Sequence, residues 1–407
     1  MLDIFGKLWL QGVKRLIKAQ STQVARQRKL HAGLQKAAVK AVVKAATTPV
    51  KLPGPRASLQ VTGKRIDRAA INVLGNSQKK PRKRVRRALP DAATAPAPAS
   101  TSLDAGGSWR RVFQSSNAVL GSARARRMGG WLFLPEMHAD APPDSLPLVV
   151  MLHGCGQTAP EFAAGTRMNQ TAAREGFAVL YPQQSLSAHP QRCWPWYRRV
   201  VQEGGDELAL IAAMVERTCV RSRLDSHRVY VAGLSAGAAL AHALALRRPD
   251  LFAAVALHSG PVYGVADSRM SAFTVMQQGT RDPVTPIARL QREQGGAHAM
   301  PSLIIQGEQD QVVRPANAAQ LFAQCCAVNE LDPAQVAPPR LYAARKGCNA
   351  YRITEAGRGR CMLVRLVEVA HLSHAWSGGD AALRYNAAPG PDASAMLWAF
   401  FRRHVRT

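Results

Sequence analysis

The stretch Val229-Tyr230-Val231-Ala232-Gly233-Leu234-Ser235-Ala236-Gly237-Ala238-Ala239-Leu240-Ala241 decides how this chain is read. Its first four residues are apolar, with β-branched and aromatic side chains, the composition of a buried strand. From Ala238 onward Ala and Leu dominate, and both are strong helix formers. Between the two lies Gly-x-Ser-x-Gly. Glycine at both ends lets the chain turn tightly, and the turn lifts Ser235 out of the sheet as a nucleophile. The pentapeptide alone is a weak signal. A strand before it and a helix after it give it meaning.

Outward from this turn, short apolar runs recur. Trp109–Phe113, Trp131–Leu134, Leu148–Leu152, Phe177–Tyr181, Ala253–Leu257, Leu303–Ile305 and Met362–Val369 read as strands. Helical patterns fall at about 160–174, 206–221, 236–247, 316–326 and 392–404. Alternating strands and helices predict an α/β fold, a mostly parallel sheet with helices on both faces.

Charge divides the chain. Residues 1–90 hold 22 Lys and Arg against Asp3 and Asp67, a net of +20 out of the whole-chain +28. Residues 2–18 put Phe5, Leu8, Trp9, Val13, Leu16 and Ile17 on one helical face and lysines on the other, a form suited to an anionic or amphiphilic surface. Lys36, Lys40 and Lys44 make a second basic stripe, and residues 79–87 form a dense basic run. Such a run repels itself in isolation and is neutralised by polyanions. No aromatic residue interleaves it, so base stacking is not indicated. These features predict a basic helical and disordered N-terminal region over 1–90, a linker over 91–107 rich in Ala, Pro, Ser and Thr, and a catalytic domain over 108–407. No run of 18 apolar residues predicts a transmembrane helix. Met1–Val13 is broken by Asp3, Lys7 and Gln11, which argues against a secretory leader and for a cytoplasmic protein with mostly reduced cysteines. No ligand spacing calls for a metal or cofactor.

Active-site groups of an open parallel sheet stand beyond the carboxyl ends of its strands. The run 148–152 leads into His153-Gly154-Cys155-Gly156, where two glycines allow a close backbone approach. The amides of Cys155 and Ala236 are the candidate oxyanion donors. For the acid, Asp310 follows the strongly apolar run 303–305. Asp282, after Phe273–Met276, is its rival, and Glu308 a lesser one. For the base, His371 and His374 both follow the run ending at Val369. The chain order Ser, acid, His is that of α/β-hydrolases.

Four segments in register carry a resemblance. Leu152-His153-Gly154-Cys155, Cys193-Trp194-Pro195-Trp196, Val231–Ala238, and His374-Ala375-Trp376 with Gly378-Gly379 are similar to the polyhydroxybutyrate depolymerase family of esterases, which includes feruloyl and acetyl-xylan esterase relatives. The resemblance covers roughly residues 108–405. It implies an α/β-hydrolase fold and a Ser235, Asp310, His374 triad, and it selects His374 over His371 and supports the Cys155 amide. One departure is Ser373, where the family's loop usually has Gly before the histidine. The resemblance also raises a Cys155–Cys193 pairing, for which a reducing cytosol predicts free thiols instead. Trp194, Trp196 and Trp376 are expected to wall an acyl or polyester chain. The expected substrate is a short-chain polyhydroxyalkanoate or its oligomers, with a generic carboxylesterase or a feruloyl or acetyl-xylan type esterase as the alternative. The basic N-terminus is expected to hold the enzyme on a storage granule or, in a different class of function, to bind a polyanion. An extracellular site, as in secreted relatives, is the alternative location.

Overall fold

The computed structural model describes residues 103, 105–115, 127–332 and 336–406. The basic region 1–90, with its expected helix over 2–18, lies outside the described residues, as does most of the linker 91–107.

Ten strands form one sheet in the order β1-β2-β4-β3-β5-β6-β7-β10-β9-β8. They are β1 (Gly107–Ser115), β2 (Arg127–Pro135), β3 (Leu148–Leu152), β4 (Ala178–Gln183), β5 (Val229–Leu234), β6 (Ala254–His258), β7 (Ser302–Gly307), β8 (Arg340–Tyr342), β9 (Tyr351–Arg358) and β10 (Cys361–Val369). The centre, β4-β3-β5-β6-β7-β10, is parallel. Antiparallel pairs close both edges, β1 and β2 on one side, β9 and β8 on the other.

The helices are α1 (Ala159–Thr166), α2 (Met168–Glu175), α3 (Arg199–Gln202), α4 (Glu207–Ser222), α5 (Ala236–Arg247), α6 (Arg269–Gln278), α7 (Thr285–Glu293), α8 (Ala316–Val328) and α9 (Ala393–Phe401). Side chains alternate across a strand, and here the alternation separates two apolar layers. Leu148, Val150 and Leu152 pack with Val229, Val231 and the alanines of α5. Val149 and Met151 pack on the other face with Tyr230, Ala232, Phe162 of α1 and Phe400 and Phe401 of α9. Both faces being covered explains why these strands read as continuous apolar runs. Each fully buried aliphatic or aromatic side chain contributes roughly 1.5–3 kcal/mol relative to exposure.

Three local readings are corrected. The helix expected over 160–174 breaks at Arg167, whose left-handed φ of 55° ends α1 and starts α2. Phe273–Met276, outlined as a strand, lies in α6, begun by a Ser268 cap that accepts from the Ser271 N–H. Strands β8 and β9 were not expected. Arg340–Tyr342 is exposed throughout and β9 carries Glu355 and Arg358, so neither shows the apolar run of a buried strand.

Candidate active site

Ser235 stands between β5 and α5 with φ 58° and ψ −121°. A positive φ is strained for a side-chain-bearing residue and costs on the order of 1–3 kcal/mol. The neighbours enforce it. A Cβ at Gly233 would lie 2.3 Å from the Gly237 carbonyl carbon, and one at Gly237 would lie 2.1 Å from the Leu152 carbonyl oxygen. Both glycines of the pentapeptide are therefore required by close approach. The Ser235 N–H donates to the His258 carbonyl at 2.9 Å, tying the elbow to the end of β6. Among the described residues none hydrogen-bonds the Ser235 hydroxyl.

Strands β7 and β10 are parallel neighbours, with Val369 opposite Gly307. Their following loops thus leave the sheet side by side, and the Gln309 N–H donates to the Leu372 carbonyl at 3.0 Å. This juxtaposition brings Asp310 to His374: His374 Nδ1 donates to Asp310 Oδ2 at 2.7 Å. The bond leaves Nε2 as the lone-pair nitrogen. Asp310 is fully buried. Its Oδ1 accepts from the N–H groups of Val312 and Val313 at 2.9 and 2.8 Å, and Gln306 Nε2 donates to Oδ2 at 3.3 Å. Burial pushes this carboxyl up, but the hydrogen bond and charge of His374 and the two amides outweigh it, and the net shift is downward. Asp282 is exposed and spends its Oδ1 on the N–H groups of Val284 and Thr285 at the start of α7. His371 is exposed beside Gln309. The structure therefore pairs Asp310 with His374 and sets Ser235 on the elbow, and it does not draw Ser235 and His374 into a hydrogen bond.

The loop after β3 lies against the elbow, since a Cβ at Gly237 would also meet the His153 carbonyl oxygen at 2.6 Å. Neither the Cys155 N–H nor the Ala236 N–H finds an acceptor among the described residues. The loop is fastened from both sides. The Gly154 N–H donates to Gln157 Oε1 at 2.9 Å and the Gly156 N–H to the Gln191 carbonyl at 2.7 Å. A Cys155–Cys193 disulfide joins the same two segments. This corrects the expectation of free thiols, which rested on compartment. The loops after the parallel neighbours β3 and β4 meet, and that juxtaposition could not be read from the sequence.

The three tryptophans also differ from expectation. Trp194 and Trp376 are 0% and 1% exposed, and Trp196 is 6%. They support the site from beneath. Trp194 Nε1 donates to the His153 carbonyl at 2.9 Å, and Trp376 Nε1 donates to Ser394 Oγ at 3.2 Å. A wide indole ring buries more surface under a loop than a smaller side chain would.

His258 was missed. It ends β6, between β5 and β7, and the rule of strand ends applied to its neighbours points to it as well. Its Nε2 accepts the Ser377 N–H at 3.2 Å, and its ring stacks on Trp376 with centroids 5.0 Å apart. One residue thus holds the elbow through its carbonyl and the His374 loop through its ring. Burial first, and the neighbouring His374 second, lower its pKa to about 3 against the opposing pull of Asp310, so the ring is neutral. His153 is likewise neutral. Burial lowers it to about 4, and the Gln184 N–H donates to its Nε2.

A parallel sheet with a positive-φ serine at its centre and an Asp–His pair at the ends of the strands beyond defines an α/β-hydrolase. The solved acetyl xylan esterase from Aspergillus awamori has this fold, with a TM-score of 0.56 at 22% identity over 72% of this chain and 100% of that one. The family model described as Esterase PHB depolymerase matches residues 131–341, and the chain belongs to that family. Poly(3-hydroxyalkanoate) depolymerase C of Paucimonas lemoignei is 33% identical over 53% of this chain and 56% of its own length. Feruloyl esterase B of Thermothelomyces thermophilus is 32% identical over 35% of this chain and 47% of its own. The chain spans about half the length of these curated relatives.

Proposed function

We propose that this chain is a serine esterase that hydrolyses the ester bonds of short-chain polyhydroxyalkanoates, poly(3-hydroxybutyrate) or its oligomers. The observation that carries the reading is the 2.7 Å bond between a buried Asp310 and His374, at the sheet end that holds the strained Ser235. Ser235 Oγ attacks the ester carbonyl and His374 Nε2 takes its proton. Asp310 holds the imidazole tautomer and stabilises the imidazolium. The Cys155 and Ala236 amides receive the oxyanion, and losing one such donor costs about 3 kcal/mol of transition-state stabilisation. The alcohol leaves with the His374 proton, and water activated by the same ring cleaves the acyl-enzyme. A neutral His258 beside His374 keeps a second positive charge away from the imidazolium.

The polyester is the substrate favoured by the likeness to the Paucimonas lemoignei depolymerase over 53% of the chain. The likeness to feruloyl esterase B over 35% supports a second reading, an aryl or acetyl ester of plant polysaccharide. Hydrolysis of a poly(3-hydroxybutyrate) film by the full chain, compared with feruloyl and acetyl-xylan substrates, separates the two. Film clearing that is lost in Ser235→Ala supports the polyester reading. Clearing absent from both proteins, with aryl ester turnover intact in the parent, overturns it.

The +20 carried by residues 1–90 supports attachment to an amphiphilic granule coat or to a polyanion. For location, the disulfide at Cys155 favours an oxidising compartment over the cytoplasm expected from the first residues. Cell fractionation with thiol labelling of Cys155 tests this, and a reduced pair in the cytoplasmic fraction would count against it.

A further inference from the structure

The edge strand β1 and helix α4 enclose a groove of about 580 Å³ that shares no residue with the site above. Arg111 lines it with its guanidinium held over the Phe113 and Trp131 rings; Arg110 on β1 and Arg217 and Arg221 on α4 line it too, and no Asp or Glu does. Arg110 Nη2 donates to Ser222 Oγ at 2.9 Å, which anchors it at the end of α4. None of these three guanidinium groups has a carboxylate partner among the described residues. Elsewhere Arg228 pairs with Asp225, and Arg248 with Glu216 and Asp250.

Arg217 and Arg221 stand four residues apart on one helix face, where like charges repel. Their place in the last turns of α4 suits the helix dipole. That does not account for Arg110, which comes from a strand and turns its charge toward the same space. The floor is apolar, with Leu132 and Met214 buried beneath. Gln114 Oε1 is buried behind the lining with no hydrogen-bond partner.

We propose that this groove binds an amphiphilic organic anion, a carboxylate or phosphate head on a short apolar chain. The head lies against the three guanidinium groups, which match planar oxyanions, and the chain covers Leu132 and Met214.

Calorimetric titration of the full chain with octanoate, octyl phosphate, inorganic phosphate and octanol tests this. Octanoate and octyl phosphate are expected to bind at one site, at least tenfold more tightly than phosphate or octanol. Arg217→Gln/Arg221→Gln together, and Arg110→Gln separately, are expected to weaken them at least tenfold, with turnover of p-nitrophenyl acetate unchanged as the control of folding. Phosphatidylglycerol vesicles identify the source: displacement of octanoate assigns the head to a lipid, and its absence assigns it to a free acid. Unchanged affinity in both variants overturns the proposal. So does octanoate that competes with p-nitrophenyl acetate and ignores the arginines, because it then occupies the active site.

Discussion

Gly237 stands against the Leu152 carbonyl oxygen so closely that an added methyl would sit 2.1 Å from it. No rotamer relieves this contact, because both partners are backbone. Gly237→Ala must therefore push α5 away from the loop after β3, and the Ala236 and Cys155 amides separate. We expect kcat to fall by about 10²-fold or more, the loss of one oxyanion donor, and stability to fall by about 1–3 kcal/mol from overpacking. Gly296→Ala, where an added Cβ meets nothing within 4 Å, is the matched control and should change neither. Steady-state hydrolysis of p-nitrophenyl butyrate and thermal melting check both.

Asp310→Asn separates charge and tautomer from shape. The Val312 and Val313 amides require an oxygen at one end of the side chain, which turns the NH2 of the introduced carboxamide toward His374. His374 Nδ1 must then accept, and its proton moves to Nε2, the wrong nitrogen for a general base. An Asp-to-Asn change of this kind lowers kcat by about 10⁴-fold. Melting should change far less than kcat. A variant that retains more than a tenth of the parent rate would remove Asp310 from the mechanism. Asp282→Asn, on the rival loop, should leave kcat at the parent level.

What the sequence could and could not carry follows from the range of the forces involved. Leu148–Leu152 and Val229–Ala232 were legible as buried parallel strands because both faces of each are apolar, a local property. That Ser235, Asp310 and His374 follow strand ends was legible because those ends can be counted along the chain, while the choice of His374 over His371 came from the resemblance. The choice of Asp310 over Asp282 is fixed by the pairing of β7 with β10, and Phe273–Met276 has a composition that fits strand or helix equally well. The indoles of Trp194 and Trp376 and the ring of His258 are placed by contacts across 41, 18 and 119 residues, which no local pattern encodes.

The disulfide makes a prediction of its own. Cys155 supplies a candidate oxyanion donor, and its bond to Cys193 fixes that loop together with the Gly156–Gln191 hydrogen bond. Reduction leaves the hydrogen bond in place and removes the covalent tie. We expect dithiothreitol to lower kcat several-fold with little change in KM, and the Cys155→Ser/Cys193→Ser variant to match the reduced parent and ignore the reagent. Cys219, Cys325 and Cys326 are buried, so the exposed Cys361 and the half-buried Cys348 are the thiols to exclude, and Cys361→Ser and Cys348→Ser should each respond to reduction as the parent does. Activity indifferent to dithiothreitol, with both thiols shown to be free, would detach the loop's function from the disulfide.

Four buried imidazoles set the acid limit of folding. Burial lowers His153 and His404 to about 4, and His242 and His258 to about 3. In the unfolded chain each protonates near its ordinary value of about 6.5. Between those limits the unfolded state binds more protons, so stability falls as pH falls. The four together cost about 5 kcal/mol per pH unit, and His153 and His404 stop contributing below their folded values. Asp310 adds to the loss only lower down, as pH drops from its unfolded value through its depressed folded one. Against a typical total of about 5–15 kcal/mol, unfolding should begin well above the carboxylate range. Urea denaturation at pH 7.5, 6 and 5 should show a steady decline. His242 has no partner for its Nδ1 and stacks edge-on against Tyr263, with no contact to Ser235, Asp310 or His374 among its hydrogen bonds and ring contacts. His242→Leu should therefore reduce the slope by about a quarter while p-nitrophenyl butyrate turnover at pH 7.5 stays at the parent level, and a slope equal to the parent's would mean that His242 is not among the groups that titrate on unfolding.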